Sequence, residues 1–306
     1  MIQFVAHKNI DKHKWDNCVT QSLNQSVSSL SWYLDCVSEN WSALVMDDYQ
    51  AVFPLPIKSK YKINYLLQPL FVRSIGIYSK VNLTEELVNN FFDEIPNNIK
   101  LIDFYLKENI PFNKVDYEVT GRKVQLMDID LPYEMIKQSY NRSAVKNLRK
   151  AEKNELVITD DILPQMIAEQ YQINIGAQVQ KLNSTHFKIV EKLMKAALKN
   201  KCGISIAVTN KNRETIASAF FMKTCEVIYF SFGSANEEGK SVGAMYLMVD
   251  EIIKRYAQQV KLFDFEGSDV EGIGNFNRNF GAKNFVYLRV QKNTLPGIIK
   301  WMSKKT

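Results

Sequence analysis

The chain has 306 residues, of which 46% are hydrophobic and 24% charged. That composition is ordinary for a soluble globular protein and long enough for more than one hydrophobic core, so two domains are expected. The formal net charge of +6 is too small to turn the whole surface into a nucleic-acid binder. DNA is therefore not an expected partner, while a local basic patch facing an anion is permitted.

The opening stretch MIQFVAHKNIDKHKW has no apolar run after its charges, so secretion is not expected. Apolar stretches such as YLLQPLFV fall far short of the ~20 residues that cross a bilayer. Cys18, Cys36, Cys202 and Cys225 are scattered without a CxxC pair, which reads as reduced, mostly buried thiols. The expectation is a cytoplasmic protein without a transmembrane segment, with a peripheral visit to a membrane surface left open.

The chain contains a faint internal repeat. IKLIDFYL at 99–106 and VKLFDFEG at 260–267 are strand-like and place Asp103 and Asp264 at the same point, an offset of 161 residues. At the same offset SALVMDDYQAVFPLPI, from Ser42, faces GISIAVTNKNRETIASAFF, from Gly203, as strand, turn and strand. The helical stretch from Asn82, NLTEELVNNFFDEI, likewise faces GAMYLMVDEIIKRY from Gly243. Three elements in one order at one offset predict a unit built twice.

In the second half, Asn183 and Ser184 are placed to cap a helix through HFKIVEKLMKAALKN, with Gly203 near its end. ISIAVT, ASAFFMKT and EVIYFSFG carry period-two Ile, Val, Phe and Tyr and predict strands. Residues 244–256 put Ala244, Met245, Leu247, Met248, Ile252 and Ile253 on one side, with Asp250, Glu251, Lys254 and Arg255 on the other. The predicted fold class is mixed α/β, with two tandem domains at 1–130 and 131–306. Each is a largely antiparallel mixed sheet flanked by helices.

Three stretches carry chemistry. FGSANEEGKSVGA at 232–244 lies between a strand and a helix. It is not a Walker A loop, because residue 234 is Ser where that motif needs glycine. Glycines before a helix still admit backbone N–H groups close to an anion, although a plain strand-to-helix turn is the blander reading. SYNRSAVKNLRKAEKNEL at 139–156 sets Arg142, Lys146, Arg149, Lys150 and Lys153 within about a 100° arc. Six cations against one acid between Lys137 and Lys153 make phosphate, nucleic acid or an anionic headgroup contenders beside a merely solvated face. Finally, Asp264 and Glu266 share one strand face, with Gly267 and Asp269 just beyond and Arg278 and Lys283 following. Such acids either cap the next helix or pair with those cations, or they orient and deprotonate an amine.

His7, His13 and His186 are far apart, so no zinc site is expected, and neither a GxSxG elbow nor an early GxGxxG is present. Chemistry here has to work by positioning and backbone polarity.

NRSAVKNLRKAEK opening the second half and DFEGSDVEGIGNFNRNFGAK near the end, with QPLFVRSIGIYS at 68–79, resemble the Fem-type branch of the GNAT acyltransferase superfamily. The resemblance spans most of the chain and implies tandem GNAT-like domains. It further implies an acyltransferase, moving an acyl or aminoacyl group onto a small-molecule or peptide amine, with a cell-envelope precursor among the acceptors left open. No covalently bound cofactor is implied; acyl-coenzyme A or aminoacyl-tRNA is the co-substrate, which makes tRNA a candidate partner.

The superfamily's coenzyme A loop falls here on Glu238, Gly239, Lys240, Ser241, Val242, Gly243 and Ala244, with Glu238 where Arg or Gln leads elsewhere. Gly239, Ser241, Val242 and Gly243, with Lys146, Arg149 and Lys150, are thereby assigned to the co-substrate. Glu266 and Asp264 are assigned to the amine, and the strand edge from Ser231 to Gly233 to the developing oxyanion. Gln68, Arg73 and Arg278 are assigned to acceptor binding. The competing reading is a non-catalytic module of the same fold that binds an anionic envelope precursor or nucleic acid.

Overall fold

The computed structural model describes residues 1–160, 162–176, 182–266 and 270–295. The chain forms two compact units, one from Met1–Arg122 with the stretch that returns at Val286, the other from Lys123–Phe285. Both are mixed α/β.

The first unit opens with β1 (Ile2–Val5), α1 (Lys12–Gln21), α2 (Ser31–Val37), β2 (Ser42–Met46) and β3 (Ala51–Leu55). β4 (Ile57–Lys60), β5 (Ile63–Leu67), β6 (Tyr78–Ser79), α3 (Glu85–Asp93) and β7 (Ile99–Leu106) follow. β1, β2, β3 and β6 make an antiparallel sheet in that order. β4 and β5 form a hairpin whose turn holds Tyr61 and Lys62 at φ 51° and 61°, the doubly left-handed geometry that matches strand twist. β5 runs parallel to β7, which pairs on its other side with residues 288–293. Trp15 and Trp41, both fully buried with ring centroids 4.6 Å apart, centre one core. Phe53, Phe91, Phe92 and Phe104 form a ring cluster below β7 and α3.

The second unit contains β8 (Glu118–Asp128), α4 (Tyr133–Gln138), α5 (Arg142–Lys153), β9 (Val157–Thr159) and α6 (Pro164–Tyr171), which runs into a π-turn at Gln172–Gly176. Next come α7 (Ser184–Lys199), β10 (Gly203–Thr209), β11 (Thr215–Lys223) and β12 (Val227–Ala235). α8 (Glu237–Val242), α9 (Ala244–Tyr256), β13 (Leu262–Asp264), α10 (Glu271–Asn279) and β14 (Lys283–Asn293) complete the order, with β14 belonging to the first unit from Val286 onward. β9, β10, β11 and β12 are antiparallel neighbours, β12 runs parallel to β13, and β13 pairs antiparallel with β8. β11 is buried along seven consecutive residues. Burying one such Phe is worth about 1.5–3 kcal/mol, which makes this strand the energetic centre of the unit.

The repeat is real at the level of topology. β2 and β3 stand where β10 and β11 stand, α3 where α9 stands, and each unit places one parallel pair, β5 with β7 and β12 with β13, at the repeated Asp. The copies differ where β11 runs unbroken but its counterpart splits into β3 and β4 around Pro54 and Pro56. Proline has no N–H for the ladder, so the first copy divides into two sheets at this point.

Helix ends follow the expected chemistry. Asn183 caps α7 through the Thr185 and His186 N–H groups, and His186 Nδ1 accepts from the Asn183 N–H at 3.0 Å, a capping box with histidine in the usual Glu place. α7 ends at Lys199, and the left-handed residue just past its end is Lys201, with φ 57°, rather than Gly203. Gly203 instead begins β10 where a Cβ would sit 2.5 Å from the Phe220 ring. Of the thiols only Cys18 is buried; Cys36 and Cys202 are half-buried and Cys225 is exposed. Burial pushes the Cys18 and Cys202 thiols up to about 11. No described helix is long and apolar enough to cross a membrane, and no described group of three or more His, Cys, Asp or Glu is placed to hold a metal ion.

Candidate active site

The site begins with a defect in the second unit's sheet. β12 pairs with β13 only through Val227–Tyr229, yet it continues beside β11 to Ala235. Along that continuation the register skips Ser231: Phe220 opposes Phe232 and Phe221 opposes Phe230. Ser231 is therefore the extra residue of a β-bulge, outside the ladder, and its hydroxyl is 3.4 Å from the Tyr229 carbonyl oxygen. The bulge turns Phe230 towards Phe221, with which it stacks at 4.9 Å, while Phe232 faces the Tyr171 ring on the opposite side. Phe230 thereby comes to lie over Gly233, where a Cβ would be 2.5 Å from its ring. Glycine at 233 serves this packing.

The two acids follow from the end of β13, where Asp264 pairs with Tyr229, two residues before the bulge. Asp264, 2% exposed at the end of β13, accepts the Glu266 backbone N–H at 2.8 Å. This Asx-type turn holds Glu266 at φ 58°, a left-handed conformation that costs an ordinary side chain about 1–2 kcal/mol. Asp264 thus acts on the backbone, and the half-buried Glu266 is the carboxylate that it positions. Gly267 and Asp269 lie outside the described residues. Among the described residues, neither Arg278 nor Lys283 pairs with these acids. Arg278 donates to Asn275 Oδ1 at 2.5 Å and is exposed.

Residues 237–242 form α8 rather than an open loop. Asn236 spends its side chain on the Gly239 N–H at 2.8 Å, and Ser241 donates to the Glu238 carbonyl at 2.8 Å. A Cβ on Gly239 would stand 2.3 Å from the Ile216 carbonyl oxygen. Gly243, at φ 81° between α8 and α9, leaves only 2.6 Å between such a Cβ and the Asn147 carbonyl oxygen. Val242 packs against the core of this unit. The glycines at 239 and 243 are occupied in docking α8 onto β11 and α9 onto α5.

α5 presents the basic stripe as read from the sequence. Arg142, Lys146, Arg149, Lys150 and Lys153 are exposed, while Ala144 and Ala151 are buried. Among the described residues these five cations have no acidic partner, and they line a groove of about 630 Å³ floored by Tyr140 and Val145. Like charges at i and i+4 destabilise a helix by about 0.2–0.5 kcal/mol per pair. Packing holds α5 in place against that repulsion. Asn141 caps it and donates to Asn279 Oδ1 at 2.7 Å, and Asn279 donates to the Tyr246 hydroxyl at 2.7 Å, so α5, α10 and α9 are tied at one point. Asn277, 1% exposed, donates to Gln125 at 3.2 Å, and Phe276 and Phe280 pack on Tyr246. FNRNFGAK is therefore a clamp between elements, with Arg278 its outward-facing member.

Gln68 and Arg73 belong to the first unit. Gln68 donates to the Val72 carbonyl at 2.6 Å and accepts the Tyr105 N–H at 3.0 Å, fixing its loop to β7. The Arg73 side chain, 8% exposed, bonds Glu108 at 3.0 Å and lies over the Tyr287 ring; Lys107 meets the same carboxylate at 2.9 Å. Burial alone would raise the Glu108 carboxyl, but Lys107 and Arg73 reverse that and hold it well below the usual carboxylate range. Asp103, the repeat counterpart of Asp264, is gripped by Arg289 at 2.7 and 2.6 Å. The first copy's acid is thus a structural ion pair.

No protein-family model matches this sequence, and no curated protein matches it. Among solved structures, the crystal structure of FemX aligns with a TM-score of 0.69 at 13% identity, covering 97% of this chain and 99% of that one. The fold is similar to that of FemX. L-PGS from Bacillus licheniformis aligns at 0.56 and 9% identity, over 95% of each chain. A tandem GNAT protein from the clavulanic acid biosynthesis pathway aligns at 0.56 and 10%, over 97% of this chain and all of its own. The tandem GNAT-like fold implied by the motifs is the fold observed.

Within this FemX-like fold, two polar sets escaped the sequence reading. Asp250, half-buried on the polar side of α9, accepts the Tyr140 hydroxyl at 2.9 Å and the Tyr133 hydroxyl at 2.9 and 3.0 Å. Burial raises its carboxyl above the ordinary range and raises both phenols further still. On the α6 side of the sheet, Ser218 donates to Gln170 at 2.5 Å and Asn174, in the π-turn, reaches Ser234 at 3.4 Å. The available signal was serine at inward positions of apolar strands, each demanding a partner.

Proposed function

We propose that this chain is a transferase that moves an acyl or aminoacyl group from an activated donor onto an amine of a small molecule or peptide. The donor is an acyl-coenzyme A or an aminoacyl-tRNA. The observation that carries the proposal is the bulge at Ser231 on β12, two residues past Tyr229, where the β12–β13 pairing stops opposite Asp264, the residue whose carboxylate holds the Glu266 backbone. A bulge removes a backbone N–H from the ladder and leaves it available to a carbonyl oxygen. The likeness to a tandem GNAT protein supports the same reading.

In this reading the donor carbonyl lies along β12 with its oxygen towards the backbone N–H groups at 231–233. A preorganised donor there stabilises the developing oxyanion more than the ground state. The acceptor amine attacks the carbonyl carbon, a C–N bond forms, and the C–S bond of a thioester or the C–O bond of an ester breaks. The proton lost by nitrogen passes to Glu266, directly or through water, and the leaving thiolate or alkoxide takes up a proton. Asp264 is the positioning residue, because it holds the backbone of Glu266 in its left-handed turn.

The test is transfer from acetyl- or long-chain acyl-coenzyme A, and from aminoacyl-tRNA, to a panel of amines read by mass spectrometry. Glu266→Gln is expected to lower kcat/KM by about 10²–10⁴-fold while leaving the thermal stabilisation by donor unchanged. Ser231→Pro, which deletes the bulge N–H, is expected to lower kcat by about 10²-fold or more. Transfer at the wild-type rate by Glu266→Gln would exclude it as base. Binding of nucleic acid with no transfer from any donor would favour the non-catalytic module.

A further inference from the structure

We infer that the donor's phosphates run along the exposed face of α5 and are held by side-chain cations, not by the glycine turn before α9. The inference rests on the transferase reading for the identity of the ligand as donor. Its binding-site content is independent of it.

Two observations carry it. The first is that the turn is ill-suited to an anion. Asn236 takes the Gly239 N–H, Gly239 and Gly243 are pressed against the Ile216 and Asn147 carbonyls, and Glu237 and Glu238 add negative charge to the first turn of α8. A phosphate brought there meets the Glu238 carboxylate, a Glu237 carboxylate that Lys240 already pairs with at 2.6 Å, and the two carbonyl oxygens. The second is that α5 holds five exposed cations with no acidic partner among the described residues, around a groove of about 630 Å³ with an aromatic and apolar floor. A helix face that retains such self-repulsion attracts an anionic partner.

The geometry also limits the ligand. Arg142 and Lys153 are eleven residues apart, about 16 Å of helix axis, which is longer than one phosphate or pyrophosphate occupies. The ligand class is a nucleotide bearing several phosphates. Tyr140 and Val145 below the cations suit the apolar face of a base or ribose. Coenzyme A and the end of a tRNA both meet this description, and the test separates them.

The experiment measures equilibrium binding of the full chain to coenzyme A and, separately, to deacylated tRNA, at about 50 and about 200 mM salt. It compares wild type with the combined variant Lys146→Gln, Arg149→Gln, Lys150→Gln and with Lys240→Gln in α8. The combined variant is expected to bind its preferred probe at least about 30-fold more weakly and to melt no lower than wild type, since repulsion is relieved. Lys240→Gln is expected to stay within about twofold of wild type. For tRNA, four neutralised phosphates predict a loss of about 50-fold across that salt range, at a slope of about −0.7 per contact, and a visibly shallower slope in the combined variant. Binding of tRNA alone assigns the groove to a polynucleotide end; binding of coenzyme A assigns it to the smaller nucleotide. Unchanged affinity in the combined variant overturns the inference, as does an equal loss in Lys240→Gln. Wild-type binding to phosphatidylglycerol vesicles but to neither nucleotide also overturns it. No turnover is measured, so failure of the transferase reading leaves these outcomes interpretable.

Discussion

Asp250 illustrates how a single half-buried carboxylate constrains its surroundings. Its two phenol partners reach it from α4 and from the residue before the α5 cap, so one side chain joins three segments. Burial raises the Asp250 carboxyl, so the folded chain binds this proton more readily than the unfolded chain. Its contribution to stability is then greatest when it is protonated, below the ordinary carboxylate value, and declines as pH rises through the raised value. Tyr140→Phe removes a donor to the charged form and is expected to cost about 1–3 kcal/mol in urea unfolding at neutral pH. It also raises the carboxyl further, so the variant should recover more stability than wild type as pH falls from neutral towards the ordinary carboxylate value. An equal pH response in both proteins would show that the Tyr140 hydroxyl does not bear on the Asp250 charge.

Among elements, the decisive join is the turn between α8 and α9. Gly243 combines φ 81° with a 2.6 Å approach to the Asn147 carbonyl. Gly243→Ala therefore carries the left-handed penalty of about 1–2 kcal/mol and in addition pushes α9 off α5. A thermal or urea melt should show a loss of about 2 kcal/mol or more without any ligand present. A phosphate-gripping glycine behaves otherwise, losing ligand affinity with the melt almost unchanged. The same logic explains the bulge on β12. Its aromatic residues at 230 and 232 are needed on opposite faces of the sheet, and alternation alone would put them on the same face.

For the whole molecule, the ordering of stability follows burial. β11 lies between β10 and β12 and is buried at all but its two end residues, whereas β9 is a three-residue edge with Val157 57% exposed. In the first unit β4 is an exposed edge beside β5. Hydrogen exchange followed by mass spectrometry should find the β11 amides among the slowest, near the global opening free energy, with β9 and β4 exchanging by local fraying. Exchange of β11 as fast as β9 would contradict the packing described for the second unit. The two copies of the repeat also take separate roles. Asp103 is locked to Arg289, while Asp264 shapes the turn that holds Glu266.

Much of this was legible in the residues alone. Periodicity located α5, α7, α9 and the strands β10 to β12, because each buries one face and the pattern of apolar residues must follow the geometry of the element. The repeated Asp and its neighbours disclosed the doubled architecture, and the cation stripe on α5 needed only the helical pitch. What tertiary structure decided were matters of partnership. The bulge at Ser231 depends on the register of β11. The hydrogen bonding of Asp250 depends on tyrosines more than a hundred residues away, the use of Gly239 and Gly243 on carbonyls of β11 and α5, and the closure of β7 on residues 288–293. A local pattern reports which face of an element is buried, but it carries no record of the distant atom that will stand opposite.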